Sequence, residues 1–476
     1  MRYVSTRDAT ASVSLAEAVF AGTAPDGGLW VPERLSPLDD ASLVALRDAS
    51  SEGDAASSVA ALRCVSRVLA RHLFGGDLDE ATIDSVVDTS LDFPVPVREI
   101  EPGVSVVELF HGPTLAFKDV GARFMARLMA ALLDAGHVPP SLASSQGNTG
   151  SSTHQPRLTV LVATSGDTGA AVAHAFWNLP PFEVVVLFPR GQVSDAQRRL
   201  FSTLGGNVRV AAVEGTFDDC QRMVKEAFAD PELARISALV SANSINIARL
   251  LPQSFYYAHA ALALGAFSSC SPLPPAGEGP GVRAAFKGAL ILSVPSGNFG
   301  NLTAGLVARR LGVPIQRFVA ATNVNDVVPR YVASGLFEPR PSLRTLSNAM
   351  DVGNPSNLER MRWLHPDLNE LRGLLEAHAF TDAQTLAAMR EVHDRTGTLL
   401  DPHAAVGYLG LRRALASASG AFRGAFLATA HPAKFAEVAD RIGVTVDLPP
   451  ALRDCFDRPE HIDPLPPTLE ALRDWL

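Results

Sequence analysis

Cysteine is scarce in this chain of 476 residues, and its four cysteines, Cys64, Cys220, Cys270 and Cys455, lie far apart. This spacing offers neither a disulfide framework nor the ligand pattern of a zinc site, so it favours a reducing compartment without a bound metal. No apolar run reaches the roughly 20 residues of a membrane-spanning helix. Glu17 interrupts the first apolar stretch, which disfavours a cleaved signal peptide. We therefore expect a cytoplasmic protein with no membrane partner.

The chain also lacks an excess of basic residues, because 41 lysines and arginines face 50 aspartates and glutamates, for a net charge of -9. A sequence-independent nucleic-acid binder is usually basic, so we expect no nucleic-acid partner. Lysine itself is rare: the basic residues include only Lys118, Lys225, Lys287 and Lys434. Chemistry that requires a primary amine therefore has four candidates.

Apolar residues, by contrast, are abundant at 47% of the chain, which is enough for several buried cores. At roughly 150 residues per domain the length predicts about three domains or lobes. Residues 1–98 form an N-terminal unit, closed by DFPVPV at 92–97, which cannot continue a helix. Within this unit, helical patterns are centred on 41–48, 57–73 and 78–91.

From residue 103 onward, short apolar runs alternate with turns and amphipathic helices. Continuous rather than alternating apolar runs are typical of strands buried on both faces of a parallel sheet, so the pattern predicts an α/β fold. The runs are Val104–Phe110, Leu158–Ala163, Val184–Phe188, Val208–Val213, Ala289–Val294, Phe318–Ala321 and Ala425–Ala428.

Two stretches, 137–157 and 266–287, are rich in serine, proline and glycine and show no periodicity. Neither has enough apolar surface to offset the entropy of ordering it. We predict that both are surface inserts; a binding loop is the less favoured alternative.

One chemistry-bearing segment is ELFHGPTLAFKD at 108–119, where a strand, a Gly112-Pro113 turn and a helix start succeed one another. The helix N-terminus disfavours a further positive charge, and burial acts in the same direction. Lys118 would thus tend towards the neutral amine that a Schiff-base lysine needs. Taken by itself, however, this segment fits a surface lysine at a helix start better than a Schiff-base lysine. Lys225 follows a helix-surface pattern, Lys287 lies beside an insert and Lys434 follows a His-Pro turn.

Two strand-turn-helix segments can form anion cradles, SGDTG at 165–169 and SGNFGN at 296–301. Their glycines allow close backbone approach, and the helix starts expose unpaired N–H groups. An ordinary turn, with Asp167 as a helix cap, is the alternative at the first. In the second, Asn298 and Asn301 add side-chain donors. A third strand delivers Thr429 at its carboxyl end, where its hydroxyl can meet an uncharged ring nitrogen or simply end the strand.

Taken together, eleven motifs in order over nearly the whole chain resemble those of the threonine synthase family, pyridoxal-phosphate enzymes of the tryptophan-synthase-β-like fold. The motifs are YVSTR (3–7), DGGLWVP (26–32), HGPTLAFKD (111–119), ATSGDTG (163–169), GTFDDCQ (215–221), NSINIARLLPQ (243–253), PSGNFGN (295–301), ATNVND (321–326), AMDVGNPSNLER (349–360), DPHAAVGY (401–408) and TAHPAKF (429–435). The resemblance implies a two-lobed α/β enzyme with an extra N-terminal domain. We expect the catalytic region at 99–476, with a small lobe at about 122–245.

The resemblance also assigns roles to individual residues. Lys118 resembles the lysine that binds the cofactor covalently, and Thr429 resembles the partner of the pyridine nitrogen. The residues that resemble the cofactor phosphate cradle are Gly297, Asn298, Phe299 and Asn301.

Other residues resemble or suggest substrate contacts. Ser165, Asp167 and Thr168 lie in the loop that, in this fold, approaches the substrate carboxylate. For the substrate phosphate the candidate cations are Arg249 and Lys434, with Arg123 third; for any single arginine, a solvated helix face is the favoured alternative.

The activity that the resemblance implies is conversion of O-phospho-L-homoserine and water to L-threonine and phosphate, by a carbon–oxygen lyase. One alternative is a related serine or threonine dehydratase. Another is a non-catalytic anion-binding protein that kept the fold.

Overall fold

The structure is a computed structural model that describes residues 1–48, 59–137, 158–236, 238–269, 289–418 and 422–476. Its N-terminal part begins with a small antiparallel sheet of strands β1 (Tyr3–Ser5), β2 (Ser12–Val13) and β3 (Trp30–Pro32), in the order β2-β1-β3. Helix α1 (Leu15–Ala21) starts at a capping box in which Ser14 and Glu17 each accept the other's backbone N–H.

Three further helices complete the N-terminal part: α2 (Asp40–Asp48), α3 (Val59–Phe74) and α4 (Glu80–Ser90). They coincide with the three helical patterns read from the sequence, so that prediction is confirmed. Helix α3 buries the side chains of Leu62, Val65, Leu69 and Leu73, at the three-to-four-residue spacing of one helix face.

The larger of the two central sheets has six strands in the order β12-β11-β10-β13-β5-β4. All neighbours are parallel except the edge pair β4 and β5. The strands are β4 (Val97–Glu101), β5 (Val104–Glu108), β10 (Ala289–Pro295), β11 (Arg317–Thr322), β12 (Leu375–Ala379) and β13 (Phe422–Ala428).

The second central sheet has five parallel strands in the order β14-β8-β7-β6-β9. They are β6 (Leu158–Ala163), β7 (Phe182–Pro189), β8 (Val208–Val213), β9 (Ala238–Ser241) and β14 (Asp463–Leu465). The last strand comes from far outside the predicted small lobe of about 122–245. All seven apolar runs predicted as strands are found in these two sheets, which confirms the α/β architecture.

Helices cover both sheets. In chain order, the first of them are α5 (Lys118–Asp134), α6 (Asp167–Phe176), α7 (Asp195–Ser202), α8 (Phe217–Ala229), α9 (Pro231–Ile236), α10 (Ile247–Leu250), α11 (Gln253–Ala263) and α12 (Gly300–Arg310). The later helices are α13 (Val327–Ser334), α14 (Leu358–Leu364), α15 (Leu368–Leu374), α16 (Asp382–Thr396), α17 (Pro402–Ser417), α18 (Ala436–Asp440), α19 (Pro450–Phe456) and α20 (Leu469–Trp475).

The two predicted inserts lie mostly outside the described residues. At the start of the second, the described residues form a short 3₁₀ helix, Ala266–Ser269. Ala266 and Phe267 are buried in the main core, so these two residues belong to the packed fold. Among the described residues, no helix is long and apolar enough to cross a membrane.

Candidate active site

Four segments that follow parallel strands converge on one cleft of about 140 Å³. The segment after β5 brings Lys118, that after β6 brings Asp167 and Thr168, that after β10 brings residues 295–301, and that after β13 brings Thr429. The cleft thus takes side chains from the carboxyl ends of both sheets, where α/β folds form ligand sites.

A tight local network places Lys118. The buried carboxylate of Asp119 accepts bonds from the backbone N–H of Thr114 at 2.9 Å and from its hydroxyl at 2.6 Å. A Cβ on Gly112 would lie 2.5 Å from Asp119 Oδ2, so this turn requires glycine. The network fixes the turn, and Lys118 becomes the first residue of α5, as predicted.

The ammonium group of Lys118 is destabilised. Burial lowers the pKa of Lys118 below its ordinary value, and the nearby cations Lys434 and Arg249 lower it further, whereas Asp167 acts in the opposite direction. The start of α5 adds the positive end of a helix dipole. A neutral, nucleophilic amine is therefore favoured at the end of the cleft.

The turn after β10 is a cradle built for close backbone approach. Phe299 has a φ of 60° and precedes α12, so the chain turns abruptly into the helix. A Cβ on Gly297 would lie 2.7 Å from Met350 Cα and 2.9 Å from Ala349 O. The segment 349–350 thus packs directly on this turn and closes one side of the cleft.

Two buried donors in the cleft have no hydrogen-bond partner among the described residues: Asn301 Nδ2 and Arg249 Nε. The hydroxyls of Tyr256 and Tyr257 donate to Asn301 Oδ1 at 2.6 and 2.8 Å, which turns the amide so that Nδ2 is left over. Arg249 is buried and has no carboxylate partner within the described part of the chain; burial lowers its pKa to about 10, so it stays charged at neutral pH. Unpartnered buried donors cost free energy unless a ligand accepts from them.

The loop after β6 turns differently from the sequence expectation. Thr164 Oγ1 accepts the N–H groups of Gly166 and Gly169 at 2.9 and 2.8 Å, and Gly166 has a φ of 145°. Helix α6 therefore starts at Asp167, with Gly166 as its N-cap, so the alternative in which Asp167 caps this helix is wrong. The carboxylate of Asp167 is left to face Lys118 Nζ at 3.5 Å and Lys434 Nζ at 2.5 Å.

Comparison with known proteins identifies the family. Residues 97–426 match the family "Pyridoxal-phosphate dependent enzyme", residues 2–90 match "Threonine synthase N terminus", and residues 404–476 match "Threonine synthase, C-terminal". The threonine synthase of Escherichia coli (strain K12) is 41% identical over 475 residues, which cover 99% of this chain and 98% of the relative. The chain belongs to the threonine synthase family.

Solved threonine synthases agree with this assignment. The crystal structure of the Escherichia coli threonine synthase matches with a TM-score of 0.81 at 40% identity, covering 100% of this chain and 99% of that one. The pyridoxal-phosphate-bound threonine synthase from Brucella melitensis matches with a TM-score of 0.83 at 34% identity, covering 100% and 98%. The predicted two-lobed α/β fold with an extra N-terminal domain is confirmed, and the cofactor of this enzyme is pyridoxal phosphate.

The residues present fit that cofactor. A phosphate needs donors, and the cleft has the unpartnered Asn301 Nδ2 next to the glycine turn at the start of α12. A covalently bound aldehyde needs an amine, which Lys118 provides. Thr429 is buried just after β13 and lines the same cleft. The cleft thus contains the hydrogen-bond donor for the phosphate, the amine and the hydroxyl that the sequence predicts.

The structure gathers most of the predicted substrate residues but not all. Arg249, Asp167 and Thr168 line the cleft; Ser165 is exposed beside it. Lys434 lies behind Asp167 and is fully buried. Arg123 is not among the residues that line the cleft; it pairs with Asp92 at 2.6 Å and donates to the carbonyl of Ser90.

The side chain of Asn298 also has a different use from the one expected. Its Nδ2 donates to Ser244 Oγ at 2.9 Å and its Oδ1 accepts the N–H of Ser356 at 2.6 Å. Asn298 therefore links the cradle to two neighbouring loops, and its side chain is not a spare donor in the way that Asn301 is.

Sequence reasoning missed four polar residues that line the cleft, Ser244, Gln253, Ser296 and His403. Of these, His403 has the most telling contacts. Its Nδ1 lies 2.6 Å from Asp401 Oδ2, and its Nε2 accepts the N–H of Ala349 at 3.2 Å. His403 thus pins the segment that packs on Gly297. The motif DPHAAVGY contained the signal, since an aspartate two residues before a histidine at a helix start can orient the ring.

Proposed function

We propose that this chain converts O-phospho-L-homoserine and water to L-threonine and phosphate in the cytoplasm, as the last step of threonine biosynthesis. The observation that carries the proposal is the meeting of the Lys118 amine with two unpartnered buried donors, Asn301 Nδ2 and Arg249 Nε, in one cleft. An amine and more than one anion-binding group suit a phosphorylated cofactor together with a phosphorylated amino acid. The relatives named threonine synthase support the same activity.

We assign the cofactor contacts as follows. Lys118 binds the cofactor covalently, and Thr429 hydrogen-bonds its ring nitrogen. The phosphate is held at the start of α12 by the cradle residues Gly297, Asn298, Phe299 and Asn301. When bound, pyridoxal phosphate withdraws electrons from the substrate's Cα, which makes the protons at Cα and Cβ removable.

Lys118 is the residue that moves protons. It could do so once the substrate's amino group has displaced it from the cofactor. With its pKa lowered by burial and by neighbouring cations, the freed amine would take the proton from Cα and serve the later proton transfers at Cβ and Cγ. Overall, phosphate leaves Cγ, the hydroxyl of water adds to Cβ, and Cγ ends as a methyl group.

Substrate binding falls to the opposite side of the cleft. Arg249 keeps a charged guanidinium with an unpartnered Nε, so we assign it to the substrate phosphate. The loop of Ser165, Asp167 and Thr168 leads into α6, whose first N–H groups face the cleft and suit a carboxylate. The contacts of Lys434 do not support direct contact with the substrate, since its ammonium group is enclosed by protein.

The test is Lys118→Ala with Lys225→Ala as the matched control, because Lys225 lies exposed on α8. We expect Lys118→Ala to lower the turnover of O-phosphohomoserine by about 10²–10⁴-fold or more, since a lost acid–base group alone costs that range. The variant should also lack the borohydride-reducible cofactor adduct. Lys225→Ala should behave as the unmodified protein. Release of threonine and phosphate is measured together.

Two outcomes would contradict the proposal. Formation of a keto acid and ammonia from L-serine or L-threonine, without phosphate release from O-phosphohomoserine, would indicate a dehydratase. A reducible adduct on Lys118 without turnover of any of these substrates would indicate a non-catalytic binding protein.

The division of the chain also remains a proposal. We place the N-terminal domain at 1–98 and the catalytic region at 99–476, with the small lobe at about 122–245.

A further inference from the structure

Two lysines meet one carboxylate beside the cleft. Asp167 Oδ1 lies 2.5 Å from Lys434 Nζ, and Asp167 Oδ2 lies 3.5 Å from Lys118 Nζ. Gln197 Nε2 also donates to Asp167 Oδ1 at 3.0 Å. Each carboxylate oxygen therefore faces a different ammonium group, and the contact to Lys434 is the shorter by 1 Å.

Lys434 has no access to solvent. Its side chain is 0% exposed, and its Nζ donates to the carbonyl of Thr114 at 2.9 Å as well as to Asp167. The 3₁₀ helix Pro432–Phe435 holds this lysine directly after the strand that delivers Thr429. A buried ammonium group is costly unless it is paired and hydrogen-bonded, and Lys434 has both a carboxylate and a carbonyl partner.

The charge of Asp167 matters because of its position. Without Lys434, a buried carboxylate would face Lys118 alone and would hold the proton on that amine. The two ammonium groups instead keep the pKa of Asp167 well below its usual range, although burial alone would raise it. Among the described residues, Arg249 on α10 also acts on Lys118, His403 on α17 lines the same cleft, and the carboxylate of the adjacent Asp119 accepts bonds from Thr114.

We propose that Lys434 is a positioning residue, a second lysine beside the active site. It pairs with the carboxylate of Asp167, so that Lys118 can give up its proton and attach the cofactor. The proposal rests on the role assigned to Lys118 above. It also explains how an aspartate is tolerated in a loop that must accept an anionic substrate, since Lys434 cancels its charge.

The experiment measures cofactor attachment rather than turnover. Apoenzyme is mixed with pyridoxal phosphate over a range of pH and reduced with borohydride, and the fraction of adduct on Lys118 is measured by mass spectrometry. Lys434→Met removes the ammonium group at similar length, so we expect the midpoint of attachment to rise by about 1 pH unit or more, as for an amine left facing a carboxylate. Asp167→Asn should shift the midpoint in the opposite direction, because it removes the group that favours the protonated amine.

Rescue and controls separate this role from a purely structural one. Lys434→Arg keeps the charge and should retain a midpoint close to that of the unmodified protein. The double variant Lys434→Met with Asp167→Asn removes both charges and should bring the midpoint back down. Lys225→Met, on an exposed helix face, should change nothing.

An unchanged midpoint in Lys434→Met would overturn the proposal, as would a double variant shifted as far as the single one. If Lys434→Met does not fold, an unchanged midpoint in Asp167→Asn alone overturns it. The reaction itself is judged separately, because normal attachment without turnover of O-phosphohomoserine would refute only the proposed function.

Discussion

Residues of the cleft differ in how far along the chain their partners lie. Lys118 is placed by Gly112, Thr114 and Asp119, all within seven residues, so its position at a helix start could be predicted from the sequence. Lys434 contacts Thr114 across 320 residues, a contact that exists only because β13 pairs with β5. No local pattern reveals such a contact, nor does one reveal the burial of Arg249.

Thr429 provides a test at this scale. Thr429→Asp is expected to impair activity and cofactor affinity more than Thr429→Ser, because a carboxylate would favour a protonated ring nitrogen whereas serine keeps the neutral hydroxyl. The buried position of Thr429, in the cleft that also holds Asp167, adds a second cost to a new carboxylate. Steady-state kinetics and a cofactor titration of the two variants check this expectation. Equal activity would mean that the neutral hydroxyl is not what the cofactor needs.

At the scale of elements, continuous apolar runs predicted seven strands, whereas shorter or more polar strands escaped. β12 carries Glu376 and His378 at the edge of its sheet, where one side of the strand is unpaired and polar residues are tolerated. β14 has three residues, one of them Pro464, and it exists only through its pairing with β8. Edge strands are specified by the sheet that they join more than by their own sequence.

The turn after β10 gives a prediction for an element. Gly297→Ala would push a Cβ against the backbone of residues 349–350, at 2.7 Å from Met350 Cα. That segment cannot yield easily, because His403 holds Ala349, and Asp351 accepts bonds from Thr345 Oγ1 at 2.7 Å and Asn323 Nδ2 at 2.9 Å. The cradle would therefore distort, and we expect cofactor affinity to fall by about 5- to 150-fold, as for a strained contact of 1–3 kcal/mol.

Two further glycines serve as controls for Gly297→Ala. In Gly300→Ala the nearest atom to the new Cβ is the side-chain amide nitrogen of Asn357 at 3.3 Å, a much less severe approach than 2.7 Å to a backbone atom, so a smaller loss is expected. In Gly373→Ala the Cβ meets nothing within 4 Å, and affinity should not change. Cofactor titration of the three apoenzymes tests this order; equal losses at 297 and 300 would contradict the packing argument.

At the scale of the whole molecule, the C-terminal strand β14 joins the sheet that β6, β7, β8 and β9 form. β14 pairs with β8, and the segment that leads to it is held by Glu460, which accepts from Arg198 Nε at 2.8 Å and Ser202 Oγ at 2.7 Å. Arg473 on α20 pairs with Asp230. This return could not be predicted from the sequence, because each of these contacts spans more than 240 residues and depends on the finished fold.

The packing of this returning segment predicts a matched pair of leucine variants. Leu472 on α20 is 0% exposed in a core with Leu465 of β14 and Cys220 and Met223 of α8, whereas Leu336 is 66% exposed. Leu472→Ala removes buried methyl groups and leaves a cavity, so we expect the free energy of unfolding to fall by about 2–5 kcal/mol. Leu336→Ala, an equal truncation at the surface, should change it by less than about 0.5 kcal/mol. Urea unfolding of both holoenzymes measures the difference. A Leu472→Ala variant as stable as Leu336→Ala would show that α20 and β14 are not part of the cooperative core, and that the second sheet is stable without its C-terminal strand.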